Sequence, residues 1–276
     1  MKNGEKYQDM EHMKKTLKIG ALVSGSGTNL QAIIDACVRG AIPGEVVFVV
    51  SDNHGAYGLK RAQKMGIPAF TVDYDRILKS YPKHPDRFSL PSDWDLEDIL
   101  RKQVLFSPKT PQKKVEGFFA CRVIVEAELF NCMTPFSFDL IVLAGFMRLL
   151  TPYFIDRVNI DLEHPRIMNI HPALLPAFPG TDGYGDAFRN GCKVAGCTVH
   201  FVDYGEDSGS IIAQRAFAIE EGDTETSVRE KGLGIEWELY PYCIALFAQN
   251  RLQVIRKKYS LPGGKEMEKS VVRILP

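Results

Sequence analysis

The stretch IGALVSGSGTNLQAIIDACVRG, residues 19–40, narrows the possible folds more than any other part of the chain. IGALVS (19–24) is a short apolar run that stops abruptly at SGSGTN (24–29). Beyond it, Leu30, Ile33, Ile34 and Cys37 recur at i, i+3, i+4 and i+7, which makes one face of a helix, and Gly40 stands near its end. The order is strand, glycine turn, helix. The next pieces repeat that rhythm. VVFVVS (46–51) follows Pro43-Gly44, residues 56–65 read as a short helix, and IPAFTVD (67–73) reads as another strand. Continuous apolar strands that alternate with helices belong to a parallel sheet buried on both faces. The expected class is therefore α/β, an open, mostly parallel twisted sheet with helices on both faces.

The rhythm breaks from Asp75 to Gln112, where prolines and charges are frequent and apolar spacing is irregular. A connection this long is unusual inside a compact domain, so 75–112 is expected to be an inserted excursion or lid. Order returns with a helix around 117–132 and the buried-strand pattern FDLIVLAGF (138–146). PRIMNIH (165–171), AGCTVHFV (195–202) and SIIAQRAFAI (210–219) are further strands, spaced so that the C-terminal half of the sheet is mixed. A helix is expected over about 236–249. Residues 1–18 read as a leader, 19–255 as one domain, and 256–276 as a basic C-terminal tail. There is no internal repeat or low-complexity segment.

Composition sets outer limits on function. The 276 residues can bury a sizeable core. Lys plus Arg and Asp plus Glu number 34 each, a balance that argues against gripping a nucleic-acid backbone over a wide face. None of the six cysteines forms a C-x-x-C pair, and the polar start MKNGEKYQDMEHMKKTLK does not read as a secretory signal. No apolar run is long enough to span a bilayer. A cytoplasmic protein with free thiols, bound to neither membrane nor nucleic acid, is the expectation.

SGSGTN lies where an open sheet binds anions. Glycines let the main chain approach a ligand, and the helix starting near Asn29 offers unpaired N–H groups and the positive end of its dipole. The Lys-Ser/Thr ending of an ATP or GTP loop is missing, and Leu30 stands where a dinucleotide fingerprint has its third glycine. A phosphate monoester, a dinucleotide and a purely structural tight turn all remain open at this point.

A second group of residues carries chemistry. Asn169 and His171 are two apart at the carboxyl end of a strand, so their side chains share a face at the ligand end of an α/β sheet. The Asn amide can donate to a developing oxyanion, and His can carry a proton near neutrality. They could equally be a satisfied polar patch in the core. HFVDYGEDSGSII (200–212) places Asp207 in a loop between strands, where it can orient the imidazole and favour its charged form, or else belong to a solvated turn. His200 rivals His171, because the alternation of TVHFV leaves its facing ambiguous. H-E-x-x-H, close Cys/His pairing and a Ser nucleophile elbow are all missing, so no metal is expected. Asn, His and Asp beside an anion site suit acyl transfer through a tetrahedral intermediate without a covalent enzyme adduct.

These pieces together resemble the phosphoribosylglycinamide formyltransferases, folate-dependent enzymes of de novo purine synthesis. The matching blocks are SGSGTNLQAIIDAC (24–37), FDLIVLAGFMRLL (138–150), MNIHPALLPAFPG (168–180), GCTVHFV (196–202) with Asp207-Ser208-Gly209, and EWELYP (236–241). They span most of residues 17–255 outside the excursion, and their order and spacing are more specific than any single block. The resemblance implies a formyltransferase-like fold and direct formyl transfer from 10-formyltetrahydrofolate to the glycyl amine of 5'-phosphoribosylglycinamide, with no metal, in a monomer or homodimer. It implies catalytic roles for Asn169, His171 and Asp207. The main chain of Gly27, Thr28 and Asn29 would hold the phosphate, and Glu236 the ribose hydroxyls. Met147, Arg148 and Leu149 would line the folate pocket, Arg122 would meet an anionic ligand group, and a cis peptide would precede Pro176.

One block departs from the family. TDGYGDAF (181–188) stands where a His-containing, more basic sequence is common, so Asp182 and Tyr184 put the pocket's shape and charge in question. A formyltetrahydrofolate deformylase, in which water takes the formyl group, is the nearest alternative. The 18 residues before Ile19 are short for that enzyme's additional N-terminal module. Formyl transfer to a nucleotide-linked amino sugar or to methionyl-tRNA, and a catalytically silent nucleotide-binding protein, are the remaining ones.

Overall fold

Period-two alternation in the first strand decides which side of the sheet each residue serves. In the computed structural model, which describes residues 16–161 and 163–276, strand β1 (Leu17–Val23) sends Leu17, Ile19, Ala21 and Val23 into one apolar core and Leu22 into another. The two cores lie on opposite faces of a seven-stranded sheet. Helix α1 (Thr28–Val38) covers the first face through Leu30, Ile33 and Ile34, three of the four residues of the expected stripe. Cys37, the fourth, is only partly buried.

The chain continues through β2 (Gly44–Ser51), α2 (Tyr57–Lys64) and the three-residue β3 (Ala69–Thr71). After the excursion come α5 (Gln112–Met133), β4 (Leu140–Leu143), α6 (Pro152–Val158) and β5 (Ile167–His171). Helix α7 (Gly183–Arg189), β6 (Val194–Phe201), β7 (Ile211–Ala218) and α8 (Glu225–Ala248) complete the domain. Strand order is β3-β2-β1-β4-β5-β6-β7. The first five strands pair in parallel, and β6 runs antiparallel to its two neighbours, β5 and β7. The structure is thus the α/β sheet expected, parallel first and mixed later. Order reverses beside β1, and such a switch point opens a crevice at the carboxyl ends of the strands.

Three segments differ from the sequence reading. The excursion is ordered. It holds helices α3 (Tyr74–Ser80) and α4 (Leu96–Lys102), capped by Asp73 and Asp95, which accept from the N–H groups of Arg76 and Asp98. Ile99 joins Val115, Phe119, Val123 and Tyr153 in a small third core, so the excursion is docked on α5 and α6. Helix α8 begins at Glu225, eleven residues before the expected 236, with a reciprocal cap between Thr224 and Ser227. Gly232 and Gly234 interrupt the apolar spacing there and hid that first half. Finally, the basic tail is a hairpin of β8 (Leu252–Ser260) and β9 (Glu266–Ile274), whose Leu252, Val254 and Val272 pack on the main core. Of the expected leader, residues 1–15 lie outside the described residues, while 17 and 18 belong to β1. Among the described residues no helix is long and apolar enough to cross a membrane.

Candidate active site

A cleft of about 470 Å³ opens at the carboxyl ends of β1, β4 and β5, with α8 along one side. Its walls are built differently.

The first wall is main chain. Gly27 is the N-cap of α1 at φ +67°, a left-handed conformation that suits glycine. A Cβ there would also lie 2.5 Å from Gly58 Cα on α2, so the turn is pressed against the neighbouring helix. Among the described residues no side chain caps α1. Its first-turn N–H groups, at Thr28 and Asn29 among others, are those a helix leaves without intrahelical partners, and they border the cleft. The loop after β4 adjoins this turn. The Ser24 N–H donates to the Gly145 carbonyl at 3.0 Å, and the Met147 N–H donates to Ser24 Oγ at 2.8 Å. Met147 is exposed and Leu149 half-buried on that loop. Arg148 is tied down by Asp52 at 2.5 Å and Asp75 at 2.9 Å, the latter from the excursion.

The second wall is side chain. Asn169 and His171 are paired across the antiparallel ladder with His200 and Thr198. Asp207, itself at φ +50°, accepts the Gly180 N–H at 2.9 Å and places the same oxygen 3.1 Å from His171 Nδ1. His171 Nε2 lies 2.8 Å from the Phe178 carbonyl. A carbonyl and a carboxylate only accept, so the ring satisfies both when each nitrogen carries hydrogen, the cationic form. Burial works to raise the Asp207 carboxyl, but His200, the Gly180 N–H and the His171 ring hold it below the usual carboxylate range.

The ambiguity over His200 resolves at this wall. Its Nδ1 faces the Phe201 carbonyl at 2.8 Å and donates to it, while its Nε2 stands between Asn169 Nδ2 at 3.2 Å, from which it can accept, and Asp207 Oδ1 at 3.7 Å. The Asn169 amide is thereby oriented, with a second N–H left over. The register of β6 against β7 shifts between Val199 and His200, and alternation alone does not reveal such an irregularity.

Deeper in the cleft, Glu236 on α8 accepts from Asn29 Nδ2 at 2.6 Å and from the Tyr184 hydroxyl at 2.8 Å. Burial pushes its carboxyl up, and those two hydrogen bonds pull it back only in part. Asp182 does not add free negative charge. Arg189 at 2.6 Å and Arg229 both bind its carboxylate and keep it below the ordinary range. Arg229 itself lines the cleft, a cation that sequence reasoning passed over because it precedes the recognised EWELYP block.

The structure therefore brings Asn169, His171, Asp207, Gly27, Thr28, Asn29, Glu236, Met147, Arg148 and Leu149 to one cleft. Arg122 is not among its lining residues. Its guanidinium lies 3.4 Å above the Phe118 ring and donates to the Phe118 carbonyl at 3.3 Å, one turn back on the same helix. One turn further on, buried Glu126 accepts from the Thr151 N–H at 2.7 Å and hydroxyl at 2.5 Å, anchoring α5 to the start of α6. The Leu175–Pro176 peptide is cis, and the Leu175 N–H donates to Thr198 Oγ1 at 3.0 Å.

Comparison with known proteins places this geometry. The formyl transferase family model matches residues 17–244. Phosphoribosylglycinamide formyltransferase of Escherichia coli is 32% identical over 247 residues, 90% of this chain and 94% of that protein. The chain spans only 20% of the human trifunctional purine biosynthetic protein adenosine-3, to which it is 29% identical over 254 residues. Glycinamide ribonucleotide transformylase 1 from Symbiobacterium toebii shares the fold at a TM-score of 0.67 and 38% identity, with 95% of each chain covered. A formyltetrahydrofolate deformylase from Pseudomonas putida, at 20% identity and a TM-score of 0.62, shares the fold alone, and this chain covers 71% of it. The chain belongs to the phosphoribosylglycinamide formyltransferase group of the formyl transferase family.

Proposed function

We propose that the protein transfers the formyl group of 10-formyltetrahydrofolate to the glycyl amine of 5'-phosphoribosylglycinamide. The observation that carries this reading is the convergence of Asn169, His171 and Asp207 in the same cleft as the Gly27–Asn29 turn and Glu236. The acceptor's phosphate meets the first-turn N–H groups of α1, and its ribose hydroxyls meet Glu236. The folate ring fits against the loop of Phe146, Met147 and Leu149, where apolar side chains and main-chain groups suit a flat heteroaromatic ring.

The glycyl amine, with an α-amino pKa of about 8, has a useful neutral fraction at pH 7. It attacks the formyl carbon, and negative charge develops on the formyl oxygen. The Asn169 N–H left free by His200 donates to that oxygen. Both N–H groups of His171 are committed to Phe178 and Asp207, so the imidazolium acts on the oxyanion through its positive charge. Asp207 holds that charge in place and relays the amine's surplus proton, directly or through water, to N10 of the folate. Collapse then breaks the bond between the formyl carbon and the protonated N10, releasing tetrahydrofolate and the N-formyl product.

The test is an assay of formyl transfer with saturating donor, run with the ribonucleotide and without any acceptor. Formyl loss that requires the ribonucleotide and yields N-formyl product is the expected result. Equal loss to water in the control would make the protein a hydrolase instead.

A further inference from the structure

The 181–188 block contributes one side chain to the floor of the cleft. We propose that Tyr184 is a positioning residue whose hydroxyl, together with Asn29, fixes the Glu236 carboxylate to receive the vicinal hydroxyls of the acceptor's sugar. It thereby sets selection of ribose over deoxyribose. The inference rests on the reading of Glu236 as the sugar-binding group.

Three elements build this arrangement. Asn29 comes from α1, Tyr184 from α7 and Glu236 from α8, and all three are buried. Tyr184 and Asn29 each bind a different carboxylate oxygen, so the carboxylate plane is fixed at both ends. A carboxylate oxygen accepts more than one hydrogen, so each keeps capacity for a sugar hydroxyl. The tyrosine is fitted to the place. A Cβ at Gly232, one turn before Glu236, would lie 2.1 Å from Tyr184 Cζ, so glycine at 232 makes the notch in which the ring lies. The Phe217 ring packs against it at 6.1 Å between centroids.

The remaining acceptor points the same way. With its Nδ2 committed to Glu236, Asn29 has a buried Oδ1 without a hydrogen-bond partner among the described residues. A sugar hydroxyl can donate to that oxygen. A buried polar group left unpaired when the hydroxyl is missing is the usual source of strong discrimination against a deoxy analogue. Without the tyrosine hydroxyl, the buried carboxylate turns about its side-chain bonds and more readily takes up a proton, and either change removes the paired acceptors.

The experiment uses Tyr184→Phe, which keeps the ring in the notch, and Glu236→Gln with the double variant as a second route. Calorimetry with ribose 5-phosphate and 2-deoxyribose 5-phosphate reads discrimination, while KM, kcat and the thermal midpoint are followed in parallel. The wild type should prefer the ribose compound by at least roughly tenfold, the worth of one hydrogen bond to a charged group. Tyr184→Phe should bring that ratio near one and raise the acceptor KM about tenfold, with kcat changed far less and the midpoint kept. The double variant should bind no worse than Glu236→Gln alone, because Tyr184 acts through Glu236. A wild type without preference, a Tyr184→Phe ratio equal to wild type, equal weakening of both compounds, or additive single and double losses would each overturn the proposal. Discrimination without any formyl transfer by the wild type would leave it standing and overturn the functional reading instead.

Discussion

The two walls of the cleft obey different rules. The wall of Gly27, Thr28 and Asn29 is main chain, turned at Gly27 into a conformation that suits glycine and helical from Thr28, and it offers N–H groups that belong to the backbone and not to any side chain. The wall of Asn169, His171, His200 and Asp207 is a chain of side chains, each oriented by the next and drawn from β5, β6 and a loop. A wall built from backbone keeps its binding as long as its residues can hold that conformation. A wall built from side chains is where single substitutions stop chemistry.

Four substitutions sharpen that contrast. The largest effect is expected for His171→Ala, which removes the cation and leaves the half-buried Asp207 with only the Gly180 N–H and His200 beside it. Formyl transfer at saturating substrates should fall about a thousandfold, and Asn169→Ala about a hundredfold, since one preorganised oxyanion donor is worth about 3 kcal/mol. Rapid-quench measurement of the transfer step checks both, and near-wild-type rates would dissolve the distinction between the walls. Gly27→Ala should do the opposite. At φ +67° an alanine is strained, and its Cβ would approach Gly58 Cα to 2.5 Å, so the acceptor KM should rise at least roughly tenfold with a smaller change in kcat.

A smaller effect is expected for His200→Ala, which frees the Asn169 amide to turn without removing its donor. The turnover should drop about tenfold at unchanged donor KM, the cost of one lost hydrogen bond in an orienting role. Steady-state kinetics would read it.

Glu126→Gln is the control outside both walls. Burial pushes the Glu126 carboxyl up to about 7. In the folded state it therefore binds a proton more readily than in the unfolded chain, so its contribution favours folding at low pH and is lost as pH rises between about 4.5 and 7. The wild type should lose on the order of 3 kcal/mol relative to Glu126→Gln across that window. Paired denaturant titrations at pH 4.5 and pH 7.5 measure this, while transfer rates at neutral pH should match within about twofold.

The same contrast explains what was legible in the sequence. The backbone wall announces itself, because a glycine turn between an apolar run and a helical stripe has few alternatives, and residues 19–40 fold as that order requires. Asn169 and His171 were visible as neighbours on a strand, but the pairing of His171 with Asp207 depends on a loop folding back across the sheet, which no local spacing encodes. The facing of His200 was hidden by a register shift, the first half of α8 by two glycines, and the hairpin after 251 by its many exposed cations. The resemblance gave Arg122 an anionic ligand group to meet, yet its guanidinium stacks on Phe118 and is not among the residues lining the cleft.

Calorimetric titration of 5'-phosphoribosylglycinamide into Asn169→Ala tests most directly whether holding and chemistry are divided between the walls. Affinity within about threefold of wild type, alongside the slowed transfer, is the predicted outcome, because the lost donor acts only on charge that develops during reaction. An affinity that falls in step with the rate would mean that Asn169 serves to bind the acceptor, and that the two walls do not divide the work.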